Sequence, residues 1–186
     1  DVKFDLVHFD TISLAAYRNK VRDTPKIINH HNIESHLLKR RSMFEKNPLK
    51  RFYYSLEGAK LEKYEQIVCV ESDTNFTVSE LDGQRLIELV PAANVDVIAN
   101  GVDIEYFKPT DNPSLPGNLL MASGMNWFPN RDAVLYMCNE IWPLLTAQDE
   151  GLSWTVVGAS PPREVLDLAA RDRRVTVTGF VDDIRP

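Results

Sequence analysis

Apolar residues recur along this chain in two periods that take turns, and the alternation points to architecture before any motif does. Phe4 to Phe9, FDLVHF, mixes apolar positions with one acid and predicts a buried strand, with Asp10-Thr11 as the cap of a helix over residues 12–20. Pro25 to His30, PKIINH, predicts a second strand. From His36 to about Asp73 the spacing changes to three and four residues through Leu37, Leu38, Met43, Phe44, Phe52, Leu56, Ala59, Tyr64, Ile67 and Val68. That is a helical period, broken near Asn47-Pro48. Asn75 to Val78 returns to a strand, and Ser79 with Asp82 three residues on forms a loose capping box for the next helix. Val95 to Ala99 predicts a fourth strand, stopped at Asn100-Gly101, a pair that favours a turn with positive φ.

Aromatic anchors follow at Tyr106 and Phe107, and Pro109, Pro113, Pro116 and Gly117 then break regular structure across the polar run TDNPSLPG. After it the pattern restarts. Asn118 to Ser123 predicts a strand, and the loop GMNWFPN leads into a helix over Arg131 to Gln148 that Pro143 kinks or shortens. Ser153 to Val157 predicts a strand, Pro161-Pro162 starts a helix that runs to about Arg171, and Val175 to Thr178 predicts the last strand, ending at Gly179-Phe180. Strands alternating with helices of this length argue for an α/β fold of right-handed crossovers and parallel sheets. The expected organisation is a partial domain over residues 1–103, a linker over 104–117 and a second partial domain over 118–186. Asp1 opens almost directly on a strand with no starting Met, and GFVDDIRP stops before any closing helix, so the expectation is a piece of a longer protein.

Composition narrows the function classes. Lys+Arg 21 against Asp+Glu 27 gives a net charge of -6, which argues against generic nucleic-acid binding. Cys69 and Cys138 have no CxxC spacing, hence no disulfide framework or zinc signature, and read as buried thiols of a reducing compartment. No apolar run approaches the roughly 18 residues of a membrane span, and DVKFDLVHF is not a signal peptide. The expected location is the cytoplasm, with peripheral contact at the inner face of the membrane as a further expectation. That contact rests on residues 39–63, where Lys39, Arg40, Arg41, Lys46, Lys50, Arg51, Lys60 and Lys63 outnumber the acids beside Phe52, Tyr53 and Tyr54. A solvated helix face is the other reading of the same charges.

In a doubly wound sheet, ligands bind outside the carboxyl ends of the strands. The first half places His8, Asp10, His30, His31, Asn32, Ser79, Glu80, Asn100 and Gly101 there, and the second half Gly124, Asn126, Asn130, Gly158, Ala159, Ser160 and Gly179. Histidines and polar groups gather in one half, glycines in the other. Such a division suits a cleft in which one domain meets hydroxyls and the other lets its backbone approach phosphate. The loop from Gly124 to Asn130 feeds a helix whose first N–H groups favour an anion, with Arg131 beside it. It is neither a GxGxxG fingerprint nor a P-loop, and turning a corner is its alternative purpose. In an extended chain His30 and His31 point to opposite sides, so at most one of them faces the ligand edge. Spacing supplies no third ligand for a metal.

Taken together, His31-Asn32-x-Glu34, KYEQIVC…VSELD, VIANGVDIEYFKP, SGMNWFPNRDAV…IWP and VVGASPP…VTVTGFVDDI resemble a family 4 (group 1) glycosyltransferase of the GT-B type over nearly the whole chain. The resemblance implies two Rossmann-like domains, each incomplete here, facing across a cleft whose border includes Gly101. It implies a retaining transferase that moves a sugar from a nucleotide-diphosphate donor to a saccharide or lipid-linked acceptor in surface polysaccharide or glycolipid synthesis, with no metal or cofactor beyond the nucleotide sugar. His31 then corresponds to the catalytic-site histidine, with His30, Asn32, Glu34, Asn100 and Gly101 on the acceptor and sugar side. Gly124, Asn126, Asn130, Arg131, Gly158, Gly179, Phe180 and Val181 fall on the nucleotide and phosphate side. Relatives carry Arg and Lys where this chain has Asn126 and Asn130, which leaves Arg131 as the candidate phosphate partner. The family's glycine-rich N-terminal loop and paired-glutamate motif are not in this sequence, so the 186 residues alone are expected to be inactive. A sugar-nucleotide epimerase of the same fold and a non-catalytic binding module are the alternatives.

Overall fold

The computed structural model describes residues 4–109 and 115–185. The chain divides into two compact units, Asp1–Val102 and Asp103–Pro186.

In the first unit β1 (Val7–Phe9), β2 (Lys26–His30), β3 (Thr74–Thr77) and β4 (Val95–Val97) form a parallel sheet in the order β1-β2-β3-β4. A 3-10 helix, Leu14–Lys20, joins β1 to β2; α1 (Glu34–Phe44) and α2 (Pro48–Val70) join β2 to β3; α3 (Glu80–Leu89) joins β3 to β4. Strands that follow one another in order through right-handed crossovers carry all their helices on one face. Burial agrees. Phe9, Ile28, Asn75 and Thr77 are buried on the helix side, while their neighbours His8 and Asp96 are exposed on the other. Phe9 and Ile28 pack with Ile12, Ala15 and Val68, and a second cluster joins Ile33, Cys69, Leu86 and Val90.

The break at Asn47-Pro48 is a helix start. Asn47 Oδ1 accepts the Leu49 and Lys50 N–H groups at 3.0 and 3.2 Å, and Pro48 occupies the first helical position, where no N–H is needed. Ser79 caps α3 as expected, its Oγ accepting Asp82 N–H at 3.2 Å. Three expectations fail. The first strand is only Val7–Phe9, because Phe4 and Leu6 are exposed. Asp10-Thr11 caps nothing, since the following segment is a 3-10 helix whose first flanking residue, Ser13, makes no capping bond. Neither Asn100 nor Gly101 takes positive φ, and β4 ends at Val97.

In the second unit β5 (Asn118–Ala122), β6 (Ser153–Val157) and β7 (Val175–Gly179) form a parallel sheet in sequence order. Its core is Trp142, Trp154, Val134, Val156, Val165 and Val175, and the two tryptophan rings lie 5.8 Å apart. The other face carries the exposed Leu120, Ala122, Thr176 and Thr178. The helix after β5 begins earlier than expected: α4 (Phe128–Tyr136) takes Phe128, Pro129 and Asn130 into its first turn. Pro143 lacks the N–H that would continue an α ladder. Just before it the helix widens to a π turn at Met137–Ile141, with Trp142 N–H bonded to Met137 O, and resumes as α5 (Trp142–Gln148). After β6 comes α6 (Arg163–Arg171). Residues 110–114 of the expected linker break lie outside the described residues.

Candidate functional site

At the carboxyl edge of the first sheet, three polar side chains meet. Parallel pairing sets Phe9 beside Ile28, which brings the next residues, Asp10 and Asn29, side by side. Asp10 Oδ1 lies 3.1 Å from His31 Nε2 and 3.2 Å from Asn29 Nδ2. Asn29 Nδ2 is also 3.4 Å from the same imidazole nitrogen. With Nε2–H and the Asn29 amide both donating to Asp10, the 3.4 Å approach of Asn29 Nδ2 to Nε2 brings two donors together and is not a hydrogen bond, and Nδ1 is the ring nitrogen open to a substrate. The bonds from Asn29 and His31 hold the Asp10 carboxyl below its ordinary range. The group is accessible, with the His31 side chain 43% exposed.

His30 lies on the other side of the strand. It is buried at 1% exposure, with Nε2 3.2 Å from Asn75 Oδ1 and 3.7 Å from Cys69 Sγ. Burial pushes its imidazole down from the ordinary value, and it packs inside the unit, away from the edge. The expected opposition of the two histidines therefore holds, with His31 at the edge. Asn32 is half-buried beside it, whereas Asn100 and Gly101 are exposed, with no atom within 4 Å of a side chain built on Gly101.

Glu34 opens α1, and behind it lies the buried Glu65. Ile33 at the cap offers no side-chain acceptor. Glu65, reaching from α2 and fully buried, accepts Ser35 N–H at 3.2 Å in its place. Burial raises both carboxyls; at Glu65 the bonds from Ser35 and the Glu34 main chain pull the other way while the Glu34 charge adds to the rise, and at Glu34 the interaction with His31 opposes it. The burial of Glu65 is a tertiary fact, and the sequence offers no signal that separates it from the solvent-facing acids of the same helix.

A carboxyl raised above 4.5 binds its proton more tightly folded than unfolded, so stability falls as pH rises from 4.5 through the folded value. Glu65→Gln is expected to keep an acceptor for Ser35 and to flatten that decline in denaturant titrations across pH. Glu65→Ala leaves the N–H unpaired and is expected to cost about 1–3 kcal/mol at any pH. Equal pH profiles for wild type and Glu65→Gln would refute the assignment.

In the second unit the glycine positions gather at the carboxyl edge of their own sheet. Gly158 sits at φ +138, and a Cβ there would stand 1.8 Å from Ser123 O. Only glycine permits this approach of β6 to the residue following β5. Ser123 N–H bonds Val157 O at 2.9 Å, Met125 N–H bonds Ala159 O at 3.0 Å, and Gly158 N–H bonds Gly179 O at 2.8 Å. The edge is thus laced chiefly by main chain. Gly179 has φ +72 with open space around it, next to the exposed Phe180 and the half-buried Val181. Gly124 opens the loop into α4, and Asn130 Nδ2 donates back to its carbonyl at 3.0 Å. Asn126 Oδ1 would lie 3.1 Å from a Cβ on Gly124. Arg131 is turned toward Glu164, 3.9 Å away, both side chains being about half exposed. Among the described residues no three His, Cys, Asp or Glu side chains are grouped to hold a metal ion. No described helix is long and apolar enough to cross a membrane.

Comparisons with known proteins place the family and the fold. Residues 1–106 match the family model described as Glycosyltransferase Family 4. Sucrose-phosphate synthase from Thermosynechococcus elongatus superposes with a TM-score of 0.70 at 14% identity, over 96% of this chain and 46% of that one. Anabaena Alr3699/HepE in complex with UDP and glucose gives a TM-score of 0.62 at 15% identity, over 98% and 49%. Its complex with UDP-glucose gives 0.60 at 16% identity, over 97% and 50%. At these identities the likeness is one of fold, and the chain spans half or less of each structure. No match is found among curated proteins.

Proposed function

Because this chain belongs to glycosyltransferase family 4, we propose that the protein containing it transfers a sugar, with retention of anomeric configuration, from a nucleotide-diphosphate donor to a saccharide or lipid-linked acceptor. The observation that carries this reading is the family match over residues 1–106, the same segment that sets the Asp10–Asn29–His31 group on an open sheet edge.

The residues divide the work by their chemistry. Asp10 holds the His31 ring by Nε2 and turns Nδ1 toward a sugar hydroxyl, where it orients the substrate and responds to charge that develops during transfer. Asn32 and Glu34 supply further hydroxyl partners beside it. In the second unit, main chain near Gly124 and Gly179 approaches phosphate and nucleotide, Gly179 with open space where a Cβ would stand, while Gly158 shapes that edge by its close approach to Ser123. The N-terminus of α4 adds the positive end of the helix dipole, and Arg131 exchanges its long contact with Glu164 for a phosphate oxygen. Phe180 presents an exposed ring on which a base can stack. His30 has no part in this; it packs the core.

The UDP and UDP-glucose complexes of the Anabaena protein favour a uridine nucleotide as the first donor to try. A thermal-shift series of nucleoside diphosphates tests the binding half of the proposal. A ligand at about 100 times its dissociation constant adds about 2.7 kcal/mol, so one nucleoside diphosphate is expected to raise the melting temperature well above its monophosphate. No shift with any of them, on a polypeptide that includes the family's remaining motifs, would contradict it. The 186-residue chain alone is expected to show little or no turnover.

A further inference from the structure

α1 and α2 form a hairpin whose root is buried and whose far end is not. At the root, Ser35 meets Glu65, and Val68 and Cys69 enter the cores. Farther out the helices pack principally on each other: Lys39 pairs with Glu62, Gly58 lets the backbones close over Leu38, and Arg41 stacks 4.2 Å from the Tyr54 ring. Eleven residues of α1 at 1.5 Å each carry the tip about 16 Å from that root.

At the tip the apolar residues face solvent. Leu49, Phe52, Tyr53 and Leu56 follow the spacing i, i+3, i+4, i+7 and so form one stripe on α2. At 100° per residue it lies opposite the stripe of Gly58 and Glu65 that faces α1. A helix in water has no reason to keep two apolar faces, one of them bare. Leu49 and Phe52 are 80% and 70% exposed, and Met43 and Phe44 at the end of α1 are equally open. The surrounding charge is basic although the chain is acidic overall. Between residues 40 and 56 stand Arg40, Arg41, Lys46, Lys50 and Arg51 against Glu45 alone; Lys63 continues the stripe, and Lys60 pairs with Glu57 at 2.8 Å.

We propose that the tip of this hairpin docks on an anionic lipid surface, its stripe entering the headgroup region and its cations meeting lipid phosphates. Charge selects this occupant. A second copy of the chain would bring cations against cations, whereas the negative potential of an anionic leaflet attracts them and the interfacial zone accepts Phe, Tyr and Leu. The hairpin is rooted three residues beyond His31. If the proposed sugar transfer also holds, on which this last step alone rests, a lipid-borne acceptor would be brought near that edge.

The test is co-sedimentation of the purified protein with phosphatidylcholine vesicles, with and without phosphatidylglycerol. Binding is expected only with the anionic lipid and is expected to weaken with salt. Lys46→Ala, Lys50→Ala and Arg51→Ala are expected to weaken it about fivefold each, and Leu49→Ser with Phe52→Ser to abolish it. Circular dichroism checks that the variants stay folded, and light scattering reports self-association. Binding that ignores phosphatidylglycerol, binding that survives the serine pair, or a dimer dissolved by that pair without vesicle binding would each overturn the proposal. Nucleoside-diphosphate binding is measured on the same samples. Its loss without loss of vesicle binding would sink the transferase reading and leave the docking surface standing.

Discussion

Replacing His31 with alanine is expected to lower the rate of sugar transfer by the protein containing this chain about 10²–10⁴-fold, the range for a side chain that handles a proton or a developing charge. Nucleotide affinity is expected to stay within a few-fold, because the nucleotide side is assigned to the other unit. The fold is expected to survive: His31 and Asp10 are exposed, and Asn29 is half-buried. Asp10→Asn gives a finer reading. Its amide can still meet the ring but can present its nitrogen where the carboxylate accepted, and it removes the charge that His31 and Asn29 stabilise. A loss smaller than that of His31→Ala, expressed in kcat with KM for the donor little changed, is the outcome expected of a residue that positions the ring. A His31→Ala variant with unaltered turnover would end the assignment.

The second large effect is on stability. Gly158→Ala places a methyl group 1.8 Å from the Ser123 carbonyl oxygen at a φ of +138, a conformation that L side chains rarely adopt. Backbone must move, and what moves is the junction at which β6 hands over to the loop beside β5. A loss of at least about 3 kcal/mol is expected in denaturant unfolding. Gly179→Ala is the control: φ is again positive at +72, but nothing lies within 4 Å. About 1–2 kcal/mol is expected there. Equal effects at the two positions would show that close approach is not what Gly158 provides.

What the sequence revealed, and what it withheld, follows from how local each cause is. The hairpin break was legible because Asn47 and Pro48 act on their own helix, and the opposition of His30 and His31 because a strand alternates whatever its neighbours do. The start of α4 was misplaced because Pro129 reads as a loop breaker, although proline also suits a first helical turn. Phe4 and Leu6 suggested a longer strand than exists, since a hydrophobic residue without a pairing partner looks the same in sequence as one with a partner. Asn100-Gly101 permits positive φ without requiring it, and there the chain does not use the permission.

The site residues were legible as positions and hidden as partners. Asp10 and His31 were both placed at strand ends, yet their contact depends on the register of β1 against β2, which pairs Phe9 with Ile28 across 19 positions of sequence. Glu65 was invisible for the same reason. Its role as acceptor for the first turn of α1 exists only once α2 folds back, and an acid within a charged helix otherwise reads as solvent-facing. The place of Arg131 in the chain is legible in sequence, whereas its contact with Glu164 on α6 is a tertiary fact.

The most direct test follows both substrates in one tube. The full polypeptide that contains this chain is incubated with UDP-glucose and other nucleotide-diphosphate sugars and a panel of saccharide and lipid-linked acceptors, and proton NMR records the anomeric signals over time. Release of free nucleoside diphosphate, together with a new glycosidic bond of the same anomeric configuration as the donor and loss of both with His31→Ala, is the result predicted. An epimerised sugar still joined to its nucleotide, a glycosidic bond of inverted configuration, or no turnover of any donor would contradict it.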